Sequence, residues 1–147
     1  MKIKVAAVQF EAGVGLEQEN RLQMKQWINT IMAEHPDCSI IVFPELVVSG
    51  YDCGCHMAAL AEEVEGESYR FFSEEARRYG VHIAYGNIER SGQEDRPYNT
   101  VWLIGSDGSL LHTYRKIHLA SLEEAYFTPG EALLQSLCQI QHGPCVG

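Results

Sequence analysis

The sequence predicts an α/β protein built on a mixed β-sheet. Three observations predict it. Apolar strand-like runs alternate with helical patterns in the order strand, helix, strand, helix, strand, hairpin. The early strands are almost entirely apolar, as parallel strands covered on both faces are. A Gly105-Ser106-Asp107-Gly108-Ser109 stretch between two further strand patterns then reads as a hairpin turn.

Each element has its own warrant. Ile3 to Phe10 is a short apolar run containing Val5, Ala6, Ala7 and Val8, closed by Gly13 and Gly15. From about Leu16 to Glu34 the period becomes helical, with Met24, Trp27, Ile28 and Ile31 at i, i+3, i+4 and i+7. His35-Pro36-Asp37 stops that helix, and Ser39 to Phe43 is the second strand. Ser68 to Tyr79 forms a second helix with Tyr69, Phe72, Ala76 and Tyr79 on one side, and Gly80 stands at its C-terminal cap. Val81 to Ile88, Tyr98 to Ile104 and Leu110 to Tyr114 are the next three strands. Leu119 to Gly130 reads as a long loop, and a last strand is expected near Leu137 to Gln141.

Composition narrows the function classes. The chain has 147 residues, 46% of them hydrophobic, which suits one folded domain rather than a disordered chain. Its formal charge of −9 and its four lysines argue against a nucleic-acid or anionic-membrane surface, since both require clustered cations. Signal-peptide and transmembrane patterns are absent from the sequence, so the expected location is cytoplasmic. Five cysteines in such a context argue against a disulfide framework. Cys53-Gly-Cys55-His56 has the look of half a metal site, but a second pair with zinc spacing does not follow, so no metal is expected. Gly13-Val14-Gly15 lacks the third glycine of a dinucleotide fingerprint and the Lys of a phosphate loop, so no cofactor is expected either.

Three residues stand out chemically. Glu45 follows an apolar strand at its carboxyl end, where open α/β sheets bind ligands and where partial desolvation favours base chemistry. Lys116, in Tyr114-Arg115-Lys116-Ile117-His118-Leu119, offers an ammonium at the end of another strand, suited to a developing oxyanion. Glu124 lies eight residues further on in the long loop and offers a second carboxylate to position substrate or tune the first pair, with Glu123 beside it. His112 and His118 are further candidate bases, and Asn99 a candidate hydrogen-bonder behind the site.

Taken in order, several segments resemble the nitrilase (carbon–nitrogen hydrolase) superfamily. They are Val5-Ala6-Ala7-Val8-Gln9, Ile41-Val42-Phe43-Pro44-Glu45-Leu46, Ser49-Gly50-Tyr51, Tyr98-Asn99-Thr100, the Lys116 segment, and Phe127-Thr128-Pro129-Gly130. The resemblance implies a four-layer α-β-β-α sandwich, of which residues 1–147 form the N-terminal part. It implies a Glu–Lys–Cys triad with Glu45 as general base and Lys116 steadying the oxyanion, while Glu124 orients substrate. The substrate would be a small amide, nitrile or carbamoyl compound, and the intact protein a homo-oligomer. The family's cysteine is expected a few residues past Gly147, because Cys145 and Cys138 do not sit in the family's elbow. The chain alone is therefore expected to be inactive. The alternative expectation is a nitrilase-like binding or subunit-interaction module without catalysis.

Overall fold

The computed structural model describes residues 2–51, 54–93 and 96–131, with Cys55 described by its backbone only. It contains five strands, two α-helices and two single 3₁₀ turns. They are β1 (Val5–Ala7), α1 (Glu17–Glu34), β2 (Ile40–Val42), η1 (Gly54–His56), α2 (Glu67–Tyr79), β3 (His82–Glu89), β4 (Tyr98–Ile104), β5 (Leu110–Arg115) and η2 (Glu123–Ala125). The expected strand at Leu137 to Gln141 lies outside the described residues. No helix among the described residues is long and apolar enough to cross a membrane.

The strands form one sheet in the order β1-β2-β3-β4-β5. β1, β2 and β3 are parallel, and β3–β4 and β4–β5 are antiparallel. Right-handed crossovers stepping in one direction put both helices on the same face, and α1 packs against α2 there. Two antiparallel steps bring β5 back to the direction of β2. The carboxyl ends of β2 and β5 and the start of β4 therefore share one end of the sheet, and that end carries the site.

The core lies between the helices and the sheet. Met24, Ile28 and Met32 of α1 and Phe72 and Ala76 of α2 pack on Ile41, Ile83, Tyr85, Trp102 and Ile104. Phe72 and Tyr85 meet at a tilt of 42° with ring centroids 4.3 Å apart, and Tyr85 meets Trp102 edge-on at 5.8 Å. The stripe expected on α1 is rotated. Trp27 is 40% exposed, while Asn20, Arg21 and Met32 are buried. The buried face centres between Met24 and Ile28, and at about 100° per residue Trp27 falls near its border. Asn20 occupies the buried side because it serves the backbone. Its side chain donates to Gly13 O and Val48 O and accepts from Gly13 N–H.

β1 is shorter than its apolar run because it pairs on one side only, with three residues of β2. The face of the sheet away from the helices exposes Val5 and Val42 at the β1–β2 end, while towards β3 Ile88 is covered by Leu46, Met57 and Phe127.

After β2 the chain crosses the end of the sheet very close to β3. A methyl group added at Gly86 would lie 2.7 Å from Glu45 Cα and 2.8 Å from Pro44 O. Gly86 N–H donates to Pro44 O at 3.2 Å. Leu46 then adopts φ 48°, the left-handed region that costs a branched residue about 1–2 kcal/mol. Burying its side chain against Met57, Ala61, Ile88 and Phe127 contributes about 1.5–3 kcal/mol and offsets that cost. The turn is clamped from the other side by Gly15 N–H to Ser49 O and by Gly50 (φ 78°) against Gly13 and Val14.

Gly86→Ala is thus expected to destabilise the fold by about 2 kcal/mol or more, because backbone must move. Gly92→Ala, with nothing within 4 Å of the added methyl, serves as the neutral control. Urea denaturation of the two variants checks this; equal midpoints would show that the close approach is not tight.

Candidate functional site

Four side chains converge at the shared end of the sheet. Glu45 arrives three residues after β2, Asn99 is the second residue of β4, Lys116 follows β5 directly, and Glu123 opens η2. Lys116 Nζ donates to Glu45 Oε1 at 2.7 Å and to Glu123 at 3.0 Å (Oε1), and lies 2.8 Å from Glu123 Oε2. Asn99 Nδ2 donates to Glu45 Oε1 at 2.6 Å and to Glu123 Oε1 at 3.1 Å. Tyr51 Oη donates to Glu123 Oε1 at 3.3 Å from the mouth of the site, where its ring is half exposed.

The strands explain why these groups meet. Alternation along β5 sends Arg115 to the helix side and Lys116 to the other. Arg115 pairs there with the buried Glu89 and lies over the Tyr98 ring. Lys116 is held by its backbone on both sides: its N–H donates to Asn99 O at 2.8 Å, and its carbonyl accepts from Gly130 N–H at 2.9 Å.

The structure brings together Glu45 and Lys116 as expected from the sequence, but it places Glu123 rather than Glu124 against the lysine. Glu124 is exposed, and its hydrogen bonds are made by its backbone, whose carbonyl accepts from Arg96 Nη2 at 2.7 Å and whose N–H donates to Ala120 O at 3.1 Å. The reason is local. In a 3₁₀ turn successive side chains diverge by about 120°, so neighbouring glutamates cannot both face the lysine. Phe127, four residues after Glu123, is fully buried, and its N–H donates to Glu123 O at 2.9 Å. That anchor turns Glu123 inward, where Oε2 also accepts Ala120 N–H at 2.7 Å. No local pattern tells the adjacent glutamates apart; the burial of Phe127 decides between them. His118 is exposed, and His112 lies in mid-strand opposite Leu103, so neither histidine joins the cluster.

The electrostatics follow from an ammonium shared by two carboxylates. Burial pushes the Glu123 carboxyl up, but the hydrogen bond from Lys116, the Ala120 N–H, the lysine charge and Asn99 together hold it below its ordinary value. Burial likewise pulls Lys116 down, and its hydrogen bonds and charge interactions with Glu123 and Glu45 more than reverse this, raising it. Tyr51 is raised by burial and then by the Glu45 and Glu123 charges. Glu123 is the buried anchor, with 6% of its side chain exposed, whereas Glu45 has 39% exposed and meets solvent. The arrangement offers a carboxylate base and a fixed cation side by side.

Among the described side chains no cysteine joins them. Cys38 is buried before β2, at the opposite end of that strand from Glu45, and burial raises its thiol. Cys53, the Cys55 side chain, Cys138 and Cys145 lie outside the described residues. No group of three metal-ligating side chains occurs among the described residues.

Comparison with known proteins decides the family. The model of the carbon-nitrogen hydrolase family matches residues 4–147. The chain belongs to the carbon–nitrogen hydrolase family. Within this nitrilase superfamily it is 35% identical over 132 residues to a probable nitrilase of Schizosaccharomyces pombe, covering 88% of this chain and 48% of that one. It is 30% identical over 132 residues to the 2-oxoglutaramate amidase of Bacillus subtilis, covering 88% and 49%. The crystal structure of Saccharomyces cerevisiae Nit3, a member of branch 10 of the superfamily, superimposes with a TM-score of 0.79 at 28% identity, covering 88% of this chain and 49% of that one. The chain thus spans about half the length of the relatives it matches, and its sheet and helices have the partial nitrilase-like α/β fold.

The lowered Glu123 carboxyl has a pH consequence. Its contribution to stability is fully present above the ordinary value of 4.5 and is lost as pH falls through the folded-state value. Between pH 7 and about 3, thermal melting of the wild type is expected to fall more steeply than that of Glu123→Gln, which cannot titrate there. Parallel melting curves for the two proteins would show that the carboxylate is not held by Lys116.

Proposed function

We propose that the intact protein carrying this chain hydrolyses a carbon–nitrogen bond in a small non-peptide amide, nitrile or carbamoyl compound. The observation that carries the reading is Lys116 bridging Glu45 and Glu123 at the carboxyl end of β2 and β5. Membership of the carbon–nitrogen hydrolase family and the amidase and nitrilase names of its relatives support it.

In this reading Glu45 takes the proton of a cysteine thiol, and the thiolate attacks the carbonyl carbon of an amide. The carbon–nitrogen bond breaks as the amine leaves with the proton returned from Glu45. Water, deprotonated by the same carboxylate, then cleaves the thioester to acid and free thiol. Lys116 stabilises the oxyanion of each tetrahedral intermediate. Glu123 holds the lysine in place and takes the part that the sequence suggested for Glu124. The nucleophile is supplied from outside the described residues, since Cys38 is remote from the base. Residues 1–147 are proposed to form the N-terminal part of one hydrolase domain, inactive without that thiol. The face of the sheet that exposes Val5 and Val42 is proposed to meet the second sheet of that domain. Homo-oligomerisation is proposed on the family resemblance alone.

The experiment is an ammonia-release assay of the intact gene product on panels of primary amides, nitriles and N-carbamoyl compounds. Glu45→Gln and Lys116→Met are each expected to lower kcat by about 10²-fold or more, in line with the loss of a base or an oxyanion donor. Glu123→Gln is expected to impair turnover and Glu124→Gln to leave it nearly unchanged. Full activity in Lys116→Met would refute the reading. Turnover by the 147-residue chain, abolished by Cys145→Ala, would assign the nucleophile to Cys145 and refute the proposed inactivity of residues 1–147.

A further inference from the structure

Glu45 presents its two carboxylate oxygens to very different surroundings. Oε1 accepts from Lys116 Nζ at 2.7 Å and from Asn99 Nδ2 at 2.6 Å. Among the described residues Oε2 accepts no hydrogen bond. Asn99 itself is 2% exposed and sits on an inner strand, paired with Ile88 of β3. Its side-chain amide spends one N–H on each of the two carboxylates, and its backbone carbonyl takes the Lys116 N–H. One residue therefore contacts both carboxylates and the backbone of Lys116. Both acceptors are carboxylates, which donate nothing when ionised, so the amide nitrogen must face them. An aspartate in this place would set a third negative charge beside the other two.

We propose that Asn99 is a positioning residue that fixes the Glu45 carboxylate so that Oε1 is tied to the scaffold and Oε2 is the oxygen that accepts and returns the proton. This rests on the reading of Glu45 as the base. The lone pairs of Oε1 are committed to two strong donors, one of them charged, and are the weaker proton acceptors. Among the described residues Oε2 remains unengaged, and it is aimed by the same two bonds. The amide also spaces Glu45 from Glu123, letting one lysine serve two carboxylates without their closing on each other.

Two measurements test this. In the intact enzyme, Asn99→Leu keeps volume and removes both donors. Its kcat is expected to fall by about 10- to 100-fold with KM changed by less than about threefold, because a misaligned base harms the chemical step rather than binding. An unchanged kcat per folded enzyme molecule overturns the proposal. The second measurement needs neither turnover nor a folded Asn99 variant. In ¹⁵N–¹H spectra of the 147-residue chain, the Asn99 side-chain protons are expected to be unequal and downfield. One is expected to move upfield in Glu45→Gln and the other in Glu123→Gln. Insensitivity to both substitutions overturns the proposal. Should the spectra respond as expected while the intact protein hydrolyses no carbon–nitrogen bond, Asn99 still positions the carboxylates, and it is the assignment of Glu45 as base that fails.

Discussion

The ammonium of Lys116 lying between Glu45 and Glu123 is the interaction on which the site depends. Without the cation, two carboxylates would face each other at a partly buried place with nothing to offset their repulsion. With it, Glu123 is held as a charged acceptor, and a cation is fixed next to Glu45. The sheet order exists in the service of that arrangement. Parallel β2 and twice-reversed β5 bring residues 45 and 116 to one edge despite the 71 positions between them.

The cost of that convergence is visible in the backbone around Glu45. The chain must leave β2 and turn within three residues, hard against Gly86, with Leu46 in a left-handed conformation. Functional sites commonly hold such strain where the surroundings over-determine it. Here Leu46 is locked by a small apolar cluster with Met57, Ile88 and Phe127. Phe127 is also the residue that orients η2 and hence Glu123. One apolar cluster thus steadies both carboxylates from below while Lys116 and Asn99 tie them together above. Arg96 adds to the same end by donating to the carbonyls of Glu124 and Phe127.

Much of this was legible from residues alone. The apolar runs at β2 and β3, the turn at Gly105 to Ser109 and the Gly80 cap all act through local physics, and they appear where the pattern places them. Glu45 and Lys116 were legible because position after a strand is a sequence property. Glu123 was not, since choosing between adjacent glutamates needs the direction of a single 3₁₀ turn, set by where Phe127 finds its pocket. Trp27 shows the same limit from the other side. A large apolar side chain near the edge of a helical stripe is drawn into the core by periodicity alone, whereas Asn20, fully polar, is buried because it completes the backbone bonding of Gly13 and Val48. The second role of Asn99, as a tie between two carboxylates, depends on contacts across 54 and 24 positions of chain, which no local pattern encodes.

The most direct measurement follows the Lys116 ammonium itself. Lys2, Lys4, Lys25 and Lys116 are the only lysines, so ¹⁵Nζ spectra of the chain are readily assigned by substitution. Lys116 is expected to keep its proton well beyond the ordinary lysine value of 10.5, and Glu45→Gln and Glu123→Gln are each expected to bring its titration down. A Lys116 signal that titrates at or below 10.5 and ignores both substitutions would contradict this.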